Sequence, residues 1–125
     1  MNTSVILSDN EFNGLIELQG VNASAPLQRL IQKICLNACD TTDAISTLGD
    51  KRLARLDGQT LILEPLLKLI ISEACDAISI YEPAQGLYAL ECPNMHLLFS
   101  KYEWADGMWK IAPYQDKKSL VLSLN

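Results

Sequence analysis

Hydrophobic spacing changes in this chain near residue 77, and the change leaves few architectures open. Before that point apolar residues recur three or four positions apart, as in Leu27, Leu30 and Ile34, which is the period of an amphipathic helix. After it come short aliphatic and aromatic segments separated by PAQG, PN and WADG, which is typical of an antiparallel meander. The order predicts an α+β fold, with N-terminal helices packed on one face of a C-terminal antiparallel β-meander of about four strands.

Local signals predict the first helix. Ser8 and Glu11 match the capping-box pattern, and Leu7 and Phe12 take the staple positions around it. The apolar face is then continued by Leu15, Ile16 and Leu18. Gly20 is the predicted stop, since glycine favours the residue that follows a helix.

Three more helices are predicted. One opens at Pro26 with a core-facing stripe formed by Leu27, Leu30, Ile31, Ile34, Cys35 and Ala38. A short one lies around residues 44–48 and ends at Gly49. The third opens at Pro65 and is apolar over most of its circumference, through Leu66, Leu67, Leu69, Ile70, Ile71, Ala74 and Cys75. A helix this apolar is expected at the centre of the fold, with the sheet on one side and helices on another.

The remaining segments predict strands. SVIL near the N-terminus is expected to form a short edge strand, and Asp57-Gly58 is a strong turn signal for a small hairpin. The four meander strands are AISIYE, GLYALEC, MHLLFSKYE and GMWKIAPY. The final KSLVLSLN fits either a fifth strand or a terminal helix.

The chain length and the net charge limit the classes of function that the protein can have. Residues 1–125 are expected to form a single α+β domain. The net charge of −5 disfavours nucleic acid, because phosphate contacts need clustered lysine and arginine. The apolar runs are too short for a membrane span. The N-terminus lacks the pattern of a signal peptide, so the cytoplasm is the expected compartment.

The histidine and cysteine residues form no recognisable catalytic motif. His96 is the only histidine and has no acidic or nucleophilic partner at motif spacing, and Cys92 has no identifiable base. The four cysteines are expected to be buried thiols, because zinc sites need CxxC-like pairs or further histidines. The sequence therefore predicts no metal, no cofactor, no catalytic residues and no enzyme.

An aromatic cluster supplies the candidate site. It comprises Tyr102, Trp104, Met108, Trp109 and Tyr114. Strand alternation sends Trp109 and Ile111 to one face of the sheet and Met108 and Lys110 to the other, so these side chains cannot all be core. Because these residue types are enriched at protein contact surfaces, the cluster predicts a partner-binding face. The alternative is that Trp109 and one tyrosine cap the core.

The order of elements carries a family resemblance. A capped helix with the sequence LSDNEFNGLIELQG is followed by LARLDGQTLILEPLLKLI and then by strands that include LYALE. This order resembles the EspG family of ESX (type VII) secretion-associated proteins and its shorter Gram-positive relatives. The positions that match the family pattern are Leu56, Asp57, Gly58, Leu61, Leu63, Pro65, Leu66 and Ile70. The resemblance implies a cytosolic chaperone or adaptor that holds helical-hairpin secretion substrates.

Two departures and one alternative accompany this resemblance. The longer family members contain two similar halves, so this chain would be one half, which implies a homodimer or a reduced variant. Their substrate-contacting loops have no residue-by-residue match here, so no binding residue carries over. The expected partner is a small helical secretion substrate or the targeting domain of a toxin. The alternative is an immunity protein, a small acidic α+β binder that neutralises a cognate basic toxin.

Overall fold

The computed structural model of the protein describes residues 4–18, 23–34 and 40–124. The elements are, in chain order, β1 (Val5–Ser8), α1 (Asp9–Leu18), α2 (Ala25–Ile34), α3 (Thr41–Asp50), β2 (Ala54–Asp57), β3 (Thr60–Leu63), α4 (Pro65–Cys75), β4 (Ser79–Ala84), β5 (Leu87–Glu91), β6 (His96–Lys101), β7 (Met108–Tyr114) and α5 (Lys117–Leu122). The α+β class predicted from the sequence is confirmed. The predicted helix stop at Gly20 and the positions Cys35, Ala38 and Cys39 lie outside the described residues.

The main sheet has five strands in the order β1-β7-β6-β5-β4, and every neighbouring pair is antiparallel. The meander supplies four of these strands, as predicted. The fifth is β1, which pairs with β7 at one edge, with Val5 opposite Ile111. Strands β2 and β3 form a separate hairpin, in which Asp57 lies opposite Thr60 and Gly58 turns the chain with a φ of 64°.

One face of the sheet packs against the helices. The core cluster joins Leu27 and Leu30 of α2 and Leu67 and Ile70 of α4 to strand residues. The strand residues of this cluster include Val5, Leu7, Leu90, Leu97, Phe99, Trp109 and Ile111. Helix α2 lies against β4 and β5. Its polar residues Gln28, Arg29, Gln32 and Lys33 are exposed, as the helical period predicts.

The capping box at α1 is present in both directions. The backbone N–H of Glu11 donates to Oγ of Ser8 at 2.9 Å, and the N–H of Ser8 donates to Oε1 of Glu11 at 2.8 Å. Leu7 and Phe12 are both buried beside it, which fits a hydrophobic staple. Leu18, predicted on the same apolar face, is instead 40% exposed.

Helix α4 is only partly the buried spine that its composition predicts. Glu64 caps it, because its carboxylate accepts the N–H of Leu67 at 3.0 Å. Leu67, Ile70 and Ile71 are fully buried, but Leu69 is 49% exposed. One side of the helix, which carries Lys68, Leu69 and Ser72, therefore faces solvent.

The second face of the sheet carries α5, which settles the ambiguity of the C-terminal segment in favour of a helix. Asp116 caps this helix by accepting the N–H of Ser119 at 2.7 Å. Leu120 is fully buried against Ala89 and Leu98. Because Leu98 alternates with residues of the helix-side core, α5 lies on the opposite face of the sheet. The N-terminal helices α2 and α4 and the C-terminal helix α5 therefore contact opposite faces of the sheet.

None of the helices in the described ranges combines the length and apolarity that crossing a membrane requires.

Candidate functional site

The loop between β6 and β7 is the most exposed aromatic feature of the described chain. Trp104 lies at its tip with 82% of its surface exposed. The N–H of Tyr102 donates to the carbonyl of Met108 at 2.9 Å, which closes the base of the loop. Gly107 adopts a φ of 75°, a conformation that favours glycine. The loop therefore presents an indole ring on a closed base.

A second hydrogen bond anchors this loop to the helical layer. The N–H of Asp9, the first residue of α1, donates to the carbonyl of Gly107 at 3.1 Å. The same helix is fixed by its capping box and by the buried Phe12, whose ring contacts that of Phe99 edge-on at 5.4 Å. The loop that carries Trp104 is thus hydrogen-bonded to β7 at Tyr102 and to α1 at Gly107.

Trp109 is not part of an accessible surface. It is only 6% exposed, lies opposite Leu7 of β1, and its ring centroid is 6.3 Å from that of Tyr88. Ile111 is buried on the same face, whereas Met108 is half-buried and Lys110 is exposed. Strand alternation thus places these four side chains as predicted, and it assigns Trp109 to the core.

Tyr114 lies far from the loop. It is the last residue of β7, opposite His96, and it packs beside Leu120 of α5. It lies six positions after Met108, which corresponds to about 20 Å along a strand. The structure therefore brings together Tyr102, Trp104 and Met108, and separates Trp109 and Tyr114 from them.

Two grooves flank the loop. The groove on the helix side has a volume of about 400 Å³, and its lining includes Lys33, Tyr88, Tyr102 and Met108. The groove on the other side has a volume of about 590 Å³, and its lining includes Leu87, Trp104 and Lys110. Lys101 and Tyr102 contribute to both grooves and form the wall between them. Both mix apolar surface with lysine side chains, which suits a protein segment better than a small apolar ligand.

A polar row at the opposite end of the sheet was not predicted. Ser79, Glu91, His96 and Tyr114 lie opposite one another on four consecutive strands. The Ser79 hydroxyl donates to Glu91 at 2.9 Å, and a hydrogen bond of 2.9 Å joins the Tyr81 hydroxyl to Nδ1 of His96. The partners are distant in sequence, so no motif spacing reveals them.

The polar row ties strands together rather than forming an activated nucleophile. Burial, with a smaller contribution from the Glu91 carboxylate, raises the pKa of the Tyr81 phenol. This phenol therefore keeps its proton at neutral pH and serves as a hydrogen-bonding group. Nζ of Lys117 lies 4.7 Å from the Tyr81 ring centroid, which adds a cation–π contact between α5 and the sheet.

The described residues contain no group of three or more histidine, cysteine, aspartate or glutamate side chains placed to hold a metal ion. Cys75 and Cys92 are free and buried. Burial raises the pKa of the Cys92 thiol to about 12, and the carboxylates of Glu73, Glu91 and Asp76 act in the same direction. Burial, then the Asp76 carboxylate, also raises the pKa of Cys75.

Cys92 is therefore expected to resist alkylation. At pH 8 a thiol with this pKa is ionised to a fraction on the order of 10⁻⁴, and the thiolate is the reactive form. Site-resolved mass spectrometry after iodoacetamide treatment should show labelling of Cys92 at least about 100-fold slower in buffer than in 8 M urea. Equal rates in the two conditions would contradict the burial of this thiol.

No protein-family model, curated protein or solved structure matches this chain. The resemblance to the EspG family thus stays a prediction made from the residues themselves.

Proposed function

We propose that this protein is a protein-binding domain that grips a partner with the β6–β7 loop. The observation that carries the proposal is the 82% exposure of Trp104 on a loop whose base is hydrogen-bonded to both β7 and α1. An exposed indole leaves a large apolar surface in water, and burying that surface in a partner recovers the hydrophobic free energy. A tied loop also loses little conformational entropy when it binds.

The proposed partner is a helical hairpin bound for export by a type VII secretion system, and the proposed role is that of a cytosolic chaperone or adaptor. Support comes from the EspG-like pattern around Leu56, Asp57, Gly58 and Pro65. The two grooves beside the loop support it as well, because an amphipathic helix is commonly gripped by apolar contacts rimmed by polar groups. Such a role needs no catalytic group, and we propose that the protein is not an enzyme.

A second candidate function is that of an immunity protein. The net charge of −5 favours it, because an acidic surface attracts the basic surface of a nuclease-like toxin. The two functions predict different partners. A small helical secretion substrate supports the first, and a basic toxin supports the second.

The proposal predicts that Trp104→Ala weakens partner binding without affecting the fold. Truncation of an aromatic interface anchor commonly costs about 2 kcal/mol, or roughly thirtyfold in Kd. The partner is first isolated by pull-down from the organism that encodes the chain and identified by mass spectrometry. Its affinity for the parent and the variant is then measured by isothermal titration calorimetry.

Leu56→Ala provides the matched control. Leu56 is 55% exposed and belongs to the separate β2–β3 hairpin, so its removal should change neither the melting temperature nor the affinity. Tyr102→Ala and Met108→Ala test the base of the loop. If all three loop variants melt like the parent and bind the partner with unchanged affinity, the loop is not the binding face. The exposed face of α2, with Gln28, Arg29, Gln32 and Lys33, would then be tested next.

A further inference from the structure

The groove of about 590 Å³ beside the β6–β7 loop lies on the same face of the sheet as α5. In its lining, Ser100 is two residues after Leu98 and Leu87 is two residues before Ala89, so both side chains point to the face that α5 contacts. Lys110 lies directly opposite Ser100 and therefore on this face as well. Leu87, Ser100 and Lys110 thus form the floor of this groove, which we call the outer groove.

Helix α5 leaves the outer groove open. It packs Leu120 on a neighbouring row of the same face, whereas in the outer groove Lys110 is exposed and Leu87 is half-buried. Trp104 lines this groove as well, with 82% of its surface exposed. The outer groove therefore offers two apolar side chains, Trp104 and Leu87, together with an exposed lysine.

The outer groove is locally basic although the chain is acidic. Its lining contains Lys101 and Lys110 against one carboxylate, that of Glu103. The whole sequence, in contrast, has 10 lysine and arginine residues against 15 aspartate and glutamate residues. In the part of the chain that the structure describes, neither of these two lysines forms an ion pair. Both are therefore available to a carboxylate of a bound molecule.

The groove on the helix side lacks this excess of positive charge. Its lining contains Lys33 and Lys101 together with two carboxylates, those of Asp9 and Asp106. Nζ of Lys33 also lies 5.7 Å from the ring centroid of Tyr88, a cation–π contact that holds this lysine against the sheet. An acidic ligand is therefore attracted more strongly by the outer groove than by the helix-side groove.

We propose that the outer groove binds an acidic segment of the partner protein, with a carboxylate against Lys110 and an adjacent apolar side chain between Trp104 and Leu87. This inference rests on the proposed function and specifies which of the two grooves holds the partner. Exposed ion pairs contribute little affinity by themselves, so the apolar contact supplies most of it and the charge selects an acidic partner. The basic surface of a toxin would instead meet two lysines at the outer groove.

Selection from a phage-displayed library of random linear peptides tests this chemistry without the natural partner. The library is first depleted on immobilised Trp104→Ala protein and then selected on the parent, so that the retained peptides need the indole ring. We expect the retained peptides to contain more aspartate and glutamate than the input library. We also expect an apolar residue close to the shared acidic position.

Two lysine variants locate the bound peptide. Lys110→Glu changes the outer groove alone, and Lys33→Glu makes the same change in the helix-side groove. Fluorescence anisotropy of a labelled selected peptide should give a Kd at least about fivefold higher for Lys110→Glu, because an attraction is replaced by a repulsion. For Lys33→Glu the Kd should stay within about twofold of that of the parent, because salt screens a more distant charge. Both lysines are exposed, so both variants should melt like the parent.

Three results would overturn the inference. The first is that no peptide is retained after depletion on Trp104→Ala protein. The second is a set of retained peptides without an excess of acidic residues. The third is a Kd that rises as much for Lys33→Glu as for Lys110→Glu. The proposed function is tested separately with the natural partner: if its affinity depends on Trp104 but not on Lys110, the proposed function stands and this inference fails.

Discussion

Leu67→Asp is expected to leave the chain unfolded, whereas Leu69→Asp is expected to leave it folded. The two leucines are two residues apart on α4, but Leu67 is fully buried and Leu69 is 49% exposed. A carboxylate at Leu67 would be buried in the apolar cluster without a partner. The expected cost, on the order of 5 kcal/mol or more, is comparable to the whole unfolding free energy of a typical domain.

Circular dichroism of the two aspartate variants measures this contrast. Urea unfolding of the milder variants Leu67→Ala and Leu69→Ala gives the change in unfolding free energy. Leu67→Ala should cost about 2–5 kcal/mol, and Leu69→Ala should cost less than about 1 kcal/mol. Ile70→Asp should behave like Leu67→Asp, because Ile70 is also fully buried. If Leu67→Asp and Ile70→Asp both melt like the parent, the packing of α4 described here is wrong.

Lys51→Met is expected to destabilise the fold by about 3 kcal/mol, because it leaves a buried carboxylate without its cation. Oε1 of Glu11 lies 2.6 Å from Nζ of Lys51, and the Glu11 side chain is 1% exposed. Its second oxygen, Oε2, has no hydrogen-bond partner among the described residues. The side chain of Lys51 is 33% exposed, so water stabilises its charge in part. The expected loss of stability therefore lies at the low end of the range for breaking a buried ion pair.

The double variant Glu11→Gln/Lys51→Met tests this explanation. Glutamine keeps an acceptor for the N–H of Ser8 but carries no charge, so the pair should recover most of the stability that Lys51→Met alone loses. Lys68→Met, at an exposed position of α4, is the matched control for losing one lysine. Urea unfolding at neutral pH gives all four free energies. A cost for Lys51→Met no larger than that for Lys68→Met would contradict the role of the ion pair.

Features determined by neighbouring residues were predictable from the sequence. The capping box at Ser8 and Glu11, the turn at Gly58 and the helix start at Pro65 all depend on contacts within about four residues. Strand alternation also separated Trp109 from Lys110 correctly, but it did not predict that Trp109 is the residue in the core. Sequence patterns predict such features because the contacts that determine them lie within a few residues along the chain.

Features determined by strand register were not predictable. The link between Tyr81 and His96 crosses the intervening strand β5 and depends on which strands become neighbours. The exposure of Leu69 and the position of α5 likewise depend on which elements cover them. The separation of Tyr114 from Met108 could have been predicted from strand length alone, since six residues span about 20 Å.

The pairing of β1 with β7 has a consequence for folding kinetics. Val5 meets Ile111, so this pair closes almost the whole chain into one loop, whereas β4 to β7 are joined by short local turns. Loop closure of this length carries a large entropic cost until other contacts have formed. We expect the meander to assemble first and β1 to dock late. During synthesis on the ribosome, β1 therefore has no strand to pair with until β7 has emerged.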